Sequence, residues 1–218
     1  MSRELEDVAS VIQDRMAEVS QIRDRVLGNC RQVVRWSANS VRASHRGDES
    51  EAAAELEQAR QLAATVITDT GAHPSIYWAG YVQDAMKEFA EASITRAIIL
   101  GMPLPTPADL RVEDAAYLNA LAEAASELRR DILDLLRTDD MDRAVTMLST
   151  MDDIYAVLVA IDFPDAITGG LRRTTDALRA VLERTRGDVT MTINQSRLEH
   201  AVSAMEQRMS REVNTPGN

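Results

Sequence analysis

The chain has 218 residues, of which 45% are hydrophobic and 27% charged, as in a single soluble globular domain. Its formal net charge of −11 argues against a simple basic nucleic-acid-binding surface, and its single cysteine, Cys30, excludes an internal disulfide and a multi-cysteine zinc site. No apolar run is long enough to span a membrane and the N-terminus lacks a signal-peptide pattern, so we expect a cytoplasmic protein with no membrane partner.

The first half of the chain predicts three long helices. Apolar residues at helical spacing indicate one helix from 2 to about 46, with a kink near Gly28, and a second from 48 to about 69. A turn follows, and the stretch 76–100 then repeats apolar residues with a helical period. We expect this third helix to be the buried centre of the fold.

The second half predicts four more main helices, at 112–137, 140–161, 171–186 and 191–213. The last two are separated by Gly187 and Asp188, a helix-breaking pair. Three prolines within 102–107 predict an extended connector, followed by a short helical turn toward Leu110. We interpret residues 1–213 as one helical domain and 214–218 as a disordered tail.

Two carboxylates lie within the apolar central helix. Glu88 and Glu91 are three residues apart, so they share one helix face. Ionised carboxylates are costly to bury unless they are paired or bind a cation, and a divalent cation would relieve their mutual repulsion. Two alternatives remain open: a solvated flank of a surface helix, and structural salt bridges to Arg96 or Arg130.

Other acids interrupt apolar helices further along the chain. Glu127 lies inside a leucine-rich stripe, either as a buried carboxylate that positions its neighbours or as a boundary charge. Asp152 and Asp153 interrupt a stretch rich in Met, Val, Leu and Ile. One of these two aspartates must therefore point toward whatever that helix packs against.

The basic residues are unusual in kind, because all but one of the 24 are arginine; the exception is Lys87. Arginine presents a planar fork that pairs with phosphate in a two-pronged way. Arg42, His45 and Arg46 close the first predicted helix, where basic side chains either complement the helix dipole or bind a ligand.

Common catalytic motifs are missing from the sequence. It contains no P-loop, no dinucleotide-binding glycine fingerprint, no GxSxG and no HExxH. Its acidic pair is Glu-x-x-Glu rather than the Glu-x-x-His of four-helix di-iron proteins, which weakens a di-iron interpretation. Oxygen ligands alone favour magnesium, manganese or calcium.

Four stretches of the chain carry a family resemblance: VRASHRGD (41–48), HPSIYWAGYVQDAMKEFAEA (73–92), YLNALAEAASELRRDILDLL (117–136) and DIYAVLVAIDFPDAITGGLRRTTDALRAVLERTRGD (153–188). Together they resemble the translin family, and within it the archaeal members and the translin-associated factor X branch. The order FPDA, LRR, RTRGD is a specific part of the likeness. The resemblance spans most of the chain, apart from about forty residues at the start and thirty at the end.

The resemblance implies an all-α fold, a seven-helix bundle that assembles into a closed shell of about eight subunits. Such a shell holds single-stranded nucleic acid or structured RNA inside. We therefore expect a homo-octamer that binds RNA, with single-stranded DNA as another ligand. Eukaryotic members pair two different subunits, so a related partner subunit is a further expectation.

The resemblance also implies an activity. The factor X branch is a magnesium-dependent endoribonuclease, whereas the translin branch mainly binds nucleic acid, which is the alternative function for this chain. The family's catalytic acids fall on Glu88, Glu91 and Asp153, with Asp152 one residue away as a substitute. These acids would hold Mg²⁺, with Mn²⁺ able to replace it. The residues expected to bind nucleic acid are Arg42, His45, Arg46, Arg129, Arg130, Arg172 and Arg173.

Overall fold

The computed structural model describes residues 2–213, and the side chains of 3–210. Its helices are α1 (Ser2–His45), α2 (Glu49–Thr70), α3 (Pro74–Tyr77), α4 (Gly80–Ile99), α5 (Pro107–Leu110), α6 (Asp114–Arg137), α7 (Met141–Val159), α8 (Asp165–Thr168) and α9 (Leu171–Val213). Six of these helices are long, three are single turns, and residues 2–213 contain no strand. The predicted all-α bundle is confirmed, while the predicted tail at 214–218 lies outside the described residues.

Helix α4 lies at the centre of the bundle, as its apolar sequence predicted. It packs against α1, α2 and α6, and α6 in turn packs against α7 and α9. The side chains of Phe89, Met86 and Ile94 on α4 are fully buried, as are Leu128 and Ile132 on α6. Close packing of these apolar side chains on both helices therefore fixes which face of α4 meets α6.

The central helix begins later than predicted. One turn, α3, ends at Tyr77, and α4 starts only at Gly80, after the extended residue Ala79. The side-chain amide of Gln83 donates a hydrogen bond to the Tyr77 carbonyl at 2.9 Å. This side-chain donor satisfies a carbonyl at the end of α3 that a continuous helix would have paired internally.

The predicted helix break at Gly187 is wrong. Helix α9 runs without a break through Gly187, because Thr185 and Val189 on either side of it are buried in the bundle. Helix α1 is continuous through Gly28, as the single predicted helix requires, and the kink there stays a prediction. A glycine inside a helix costs only about 1 kcal/mol relative to alanine, and packing of the neighbouring residues outweighs that cost.

The two longest helices extend beyond the bundle. Residues 3–21 of α1 and 197–210 of α9 are exposed along their whole length. Both segments carry large apolar side chains: Leu5, Val8, Ile12, Met16 and Val19 on α1, and Leu198, Val202, Met205 and Met209 on α9. Within the described part of the chain, no helix is long and apolar enough to cross a membrane.

Candidate functional site

Three glutamates converge where α4 packs on α6. Glu88 and Glu91 come from α4 and Glu123 comes from α6, and each offers a carboxylate oxygen within 4.8 Å of the others. We call these three residues the acidic cluster. Across residues 3–210, no other three acidic, histidine or cysteine side chains come together as closely. The helical spacing placed the two α4 acids on one face as predicted, and the neighbouring helix supplies the third.

The acidic cluster holds more negative charge than its surroundings neutralise. Burial, together with repulsion from Glu88 and Glu123, raises the pKa of Glu91 to about 8. The contacting cation is Lys87, whose Nζ lies 3.3 Å from Glu88 Oε1 and also forms an ion pair with Glu123. At neutral pH Glu91 is therefore largely protonated, while the other two carboxylates share one ammonium.

A cleft of about 260 Å³ opens beside the acidic cluster. Its lining residues come from three helices: Ser37, Ala38, Val41, Arg42 and His45 of α1, Glu88 and Glu91 of α4, and Glu127 and Arg130 of α6. The arginines are exposed at its edge, whereas the acids lie partly buried. One cleft thus combines groups that bind cations with groups that bind phosphate.

His45 is held rigidly in the wall of this cleft. Its Nδ1 lies 2.9 Å from Asp131 Oδ2 and its Nε2 lies 3.1 Å from Glu127 Oε2, and its side chain is 2% exposed. Burial disfavours the imidazolium, but the two carboxylate hydrogen bonds outweigh it and raise the pKa of His45 to about 9. Because both ring nitrogens are engaged, His45 supplies a fixed positive charge, and Glu127 positions it.

Ser37 is the other notable group in the wall. Its side chain is 1% exposed, and its hydroxyl has no hydrogen-bond partner among the described residues. A buried hydroxyl without a partner costs free energy that a bound ligand or water would recover. Nothing in the sequence pattern marked Ser37, because a serine inside a helix is unremarkable until its surroundings are known.

The expected third acid, Asp153, does not join the glutamates. Asp153 is exposed on α7, which packs mainly against α6 and α9, whereas α6 packs directly on α4. The neighbouring Asp152 forms an ion pair with Arg186 of α9. The position expected for Asp153 or Asp152 is taken by Glu123, because α6 lies between α4 and α7.

Sequence reasoning missed Glu123, although a signal was present. Glu123 and Glu127 are four residues apart on α6, so they lie on the same face of that helix. Glu127 stands out in the sequence because it falls within the leucine stripe, and Glu123 does not. An acid flanked by the small residues Ala122 and Ala124, both fully buried, marks where α6 closely approaches a neighbour.

The predicted phosphate-binding residues divide into two groups. Arg42, His45 and Arg130 line the cleft, beside the acidic cluster. Arg46 is exposed at the end of α1 and pairs with Glu51 at 2.5 Å, outside the cleft lining.

The remaining three predicted residues lie elsewhere. Arg129 turns toward α9, where it pairs with Asp188 at 2.8 Å and bonds to Thr185 Oγ1 at 3.1 Å. Arg172 and Arg173 are exposed at the start of α9, and Arg172 lines a separate groove near the loop before α8. The structure does not bring these three arginines to the acidic cluster.

Comparisons with known proteins place this architecture in a family. No protein-family model matches the chain. It is 24% identical over 198 residues to an uncharacterised protein of Methanocaldococcus jannaschii, covering 90% of this chain and 88% of that protein. The solved structure of apo-NeC3PO matches with a TM-score of 0.75 and 17% sequence identity, over 84% of this chain and 96% of the NeC3PO chain. At that identity the match shows a shared fold alone.

Two solved structures of AfC3PO match more strongly, one of them a complex with duplex RNA. Each matches with a TM-score of 0.80 and 33% sequence identity. The match covers 87% of this chain in both cases, with 97% of the AfC3PO chain in the RNA complex and 98% in the other structure. AfC3PO is a translin-family component. With that identity over nearly the whole length of AfC3PO, the chain belongs to the translin family.

Proposed function

We propose that this protein binds RNA and cleaves it as a Mg²⁺-dependent endoribonuclease, with Glu88, Glu91 and Glu123 holding the cation. The observation that carries the proposal is the convergence of three carboxylates from two helices beside a cleft edged with arginines. The similarity to AfC3PO, which has been solved with duplex RNA, supports RNA as the ligand class.

The donor set fits a hard divalent cation. Three carboxylates offer only oxygen ligands, which magnesium and manganese prefer. One ammonium leaves the acidic cluster under-compensated, and the unpartnered hydroxyl of Ser37 shows that the cleft wall has an unused polar group. When bound, a divalent cation supplies Lewis-acid polarisation of a phosphoryl oxygen and lowers the pKa of a bound water.

The protein's own side chains have separate tasks in this proposal. Arg42 and Arg130 bind backbone phosphates at the edge of the cleft, which favours recognition of RNA by charge and shape rather than by sequence. His45, fixed by its two carboxylate partners, adds a positive charge to the same wall. Glu91 must lose its proton before it can act as a ligand, so cation binding strengthens as the pH rises toward 8.

Self-association is part of the proposal. The projecting parts of α1 and α9 expose large apolar side chains at helical spacing, and burying them against other copies favours a homo-oligomer. We expect a cytoplasmic octameric shell, either of this chain alone or with a related subunit. Light scattering of the purified protein measures the subunit number directly.

A second candidate is a protein that shelters RNA, or single-stranded DNA, without cutting it. The observation favouring it is that Lys87 already neutralises part of the acidic cluster. This candidate predicts retarded RNA bands in gel shifts and no cleavage products that depend on added metal.

One experiment separates the two functions and also tests Glu123 against Asp153 as the third acid. Labelled single-stranded and duplex RNA are incubated with the purified protein in Mg²⁺ or in a chelator, alongside Glu123→Gln and Asp153→Asn. We expect Mg²⁺-dependent products from the parent and from Asp153→Asn, and none from Glu123→Gln. Cleavage by Glu123→Gln at the parental rate would overturn the proposed site, and intact RNA with all three proteins would favour the binding function.

A further inference from the structure

Lys87 forms ion pairs with two members of the acidic cluster, one from each side of the α4–α6 interface. It is the one lysine in a chain that otherwise uses arginine, and it precedes Glu88 on α4. Its ammonium contacts Glu88 on its own helix and Glu123 across the interface on α6. Its side chain is only 20% exposed, so a single positive charge bridges two of the three members of the acidic cluster.

This contact conflicts with cation binding. Glu88 and Glu123 can direct the same carboxylate oxygens at an ammonium or at a divalent cation, and two positive charges at such short range repel each other strongly. The ammonium also keeps the carboxylates together, because three acids this close would otherwise push apart. Lys87 therefore both assembles the acidic cluster and competes for it.

We propose that Lys87 is the resident counter-ion of the acidic cluster, which a divalent cation must displace from Glu88 and Glu123. This inference rests on the cation site of the proposed function. Lys87 keeps the carboxylates converged when the site holds no cation, and it makes cation binding weaker than three carboxylates alone would allow. The affinity for the divalent cation thus depends on how easily it displaces the Lys87 ammonium.

The choice of lysine suits this exchange. A lysine ammonium is a point charge on a flexible four-carbon stem, so it can move away from its partners by rotating its side chain. An arginine fork would hold a carboxylate through two parallel hydrogen bonds and would be harder to displace. The chain has 23 arginines and one lysine, and the lysine lies at the position where the proposal requires a displaceable positive charge.

The test measures Mn²⁺ binding to the full-length protein by electron paramagnetic resonance, and thermal unfolding with Mn²⁺ or with a chelator. Lys87→Met should bind Mn²⁺ at least ~10-fold more tightly than the parent, because a nearby positive charge is gone. In chelator it should unfold at a lower temperature, and Mn²⁺ should raise that temperature by more than in the parent. Lys87→Gln repeats the measurement if the methionine variant does not fold.

Two control variants sharpen the result. Lys87→Arg keeps the charge, so it should match the parent in chelator and bind Mn²⁺ no more tightly. Arg137→Gln removes an exposed charge from the same helix as Glu123, about 21 Å along its axis, and should bind Mn²⁺ like the parent.

Two outcomes would overturn the inference in distinguishable ways. If Lys87→Met binds Mn²⁺ as weakly as the parent or more weakly, and Glu123→Gln abolishes binding, the counter-ion role fails while the cation site stands. If Mn²⁺ binding is absent, or is unaffected by Glu123→Gln, both the counter-ion role and the cation site of the proposed function fail.

Discussion

Two helix junctions in this molecule contain acids and neutralise them in opposite ways. Between α4 and α6, one ammonium contacts two of the three glutamates of the acidic cluster, and the third has no ion pair with it. Where α9 packs against α6 and α7, each ion pair between helices joins one acid to one arginine: Asp188 with Arg129, and Asp152 with Arg186. Arg186 also contacts Glu183, an exposed acid of its own helix. Matched pairs are expected of a junction that only holds helices together, whereas an excess of one charge indicates a place where a ligand completes the set.

The largest expected effect is at the unmatched junction. Glu91→Gln keeps the side-chain shape but removes the proposed ligand charge, so RNA cleavage in Mg²⁺ should fall ~10²-fold or more. The melting temperature in chelator at pH 7 should stay close to the parental value, because glutamine replaces a side chain that is already largely protonated there. Single-turnover cleavage and differential scanning fluorimetry measure the two effects. A variant that cuts normally, or that loses many degrees of stability, would contradict the contrast between the junctions.

Adjacent arginines on α6 offer the next test. Successive residues of a helix point about 100° apart, so Arg130 edges the cleft while Arg129 turns to α9. Arg130→Gln should weaken RNA binding ~10-fold at moderate salt with little change in stability. Arg129→Gln should leave RNA binding near the parental value. Fluorescence anisotropy with labelled RNA measures both, and equal losses would show that the two arginines serve one surface.

The unmatched junction should also make stability depend on pH. Glu91 has a raised pKa, so it binds a proton in the folded state that the unfolded chain releases above pH 4.5, and stability falls as the pH rises toward 8. His45 acts in the same direction: its stabilisation is complete below pH 6.5 and is lost as the pH rises through about 9. In chelator, the melting temperature should therefore drop by several degrees between pH 6.5 and 8.5.

A matched variant isolates the contribution of the glutamate. Glu91→Gln should lose only the part of this pH dependence that lies between pH 4.5 and 8, and the contribution of His45 should remain. Added Mn²⁺ should flatten the parental curve at high pH, because the cation favours the ionised carboxylate. A parental melting temperature that rises from pH 6.5 to 8.5 would show that neither group is perturbed as described.

The smallest effect belongs to the matched junction. Asp188→Asn breaks the pair with Arg129 at a side chain that is 43% exposed, so solvent screening limits the loss of stability to ~1 kcal/mol. That change corresponds to a fall of about 2–4 °C in melting temperature for a protein of this size. Cleavage should stay within about twofold of the parent. A loss of activity without a loss of stability would assign this junction a part in the chemistry.

Much of the fold was readable from the sequence because helices impose a local period. The long helices, the connector at 102–107 and the central position of α4 all followed from the spacing of apolar residues, proline and glycine. The predicted break at Gly187 was wrong because packing of the neighbouring residues outweighs local preference there. The break before Gly80 was missed because apolar periodicity does not reveal the contact found there, from the Gln83 amide to the Tyr77 carbonyl.

By itself the sequence determined that Glu88 and Glu91 share a helix face, because a 3.6-residue period fixes which side chains of one helix are neighbours. Only the tertiary structure decided that Glu123 completes the acidic cluster, that Lys87 contacts it and that Asp153 stays exposed. The physical reason is that periodicity describes one helix at a time. Which face meets which neighbour depends on the packing of the whole core, and that packing placed α6 beside α4.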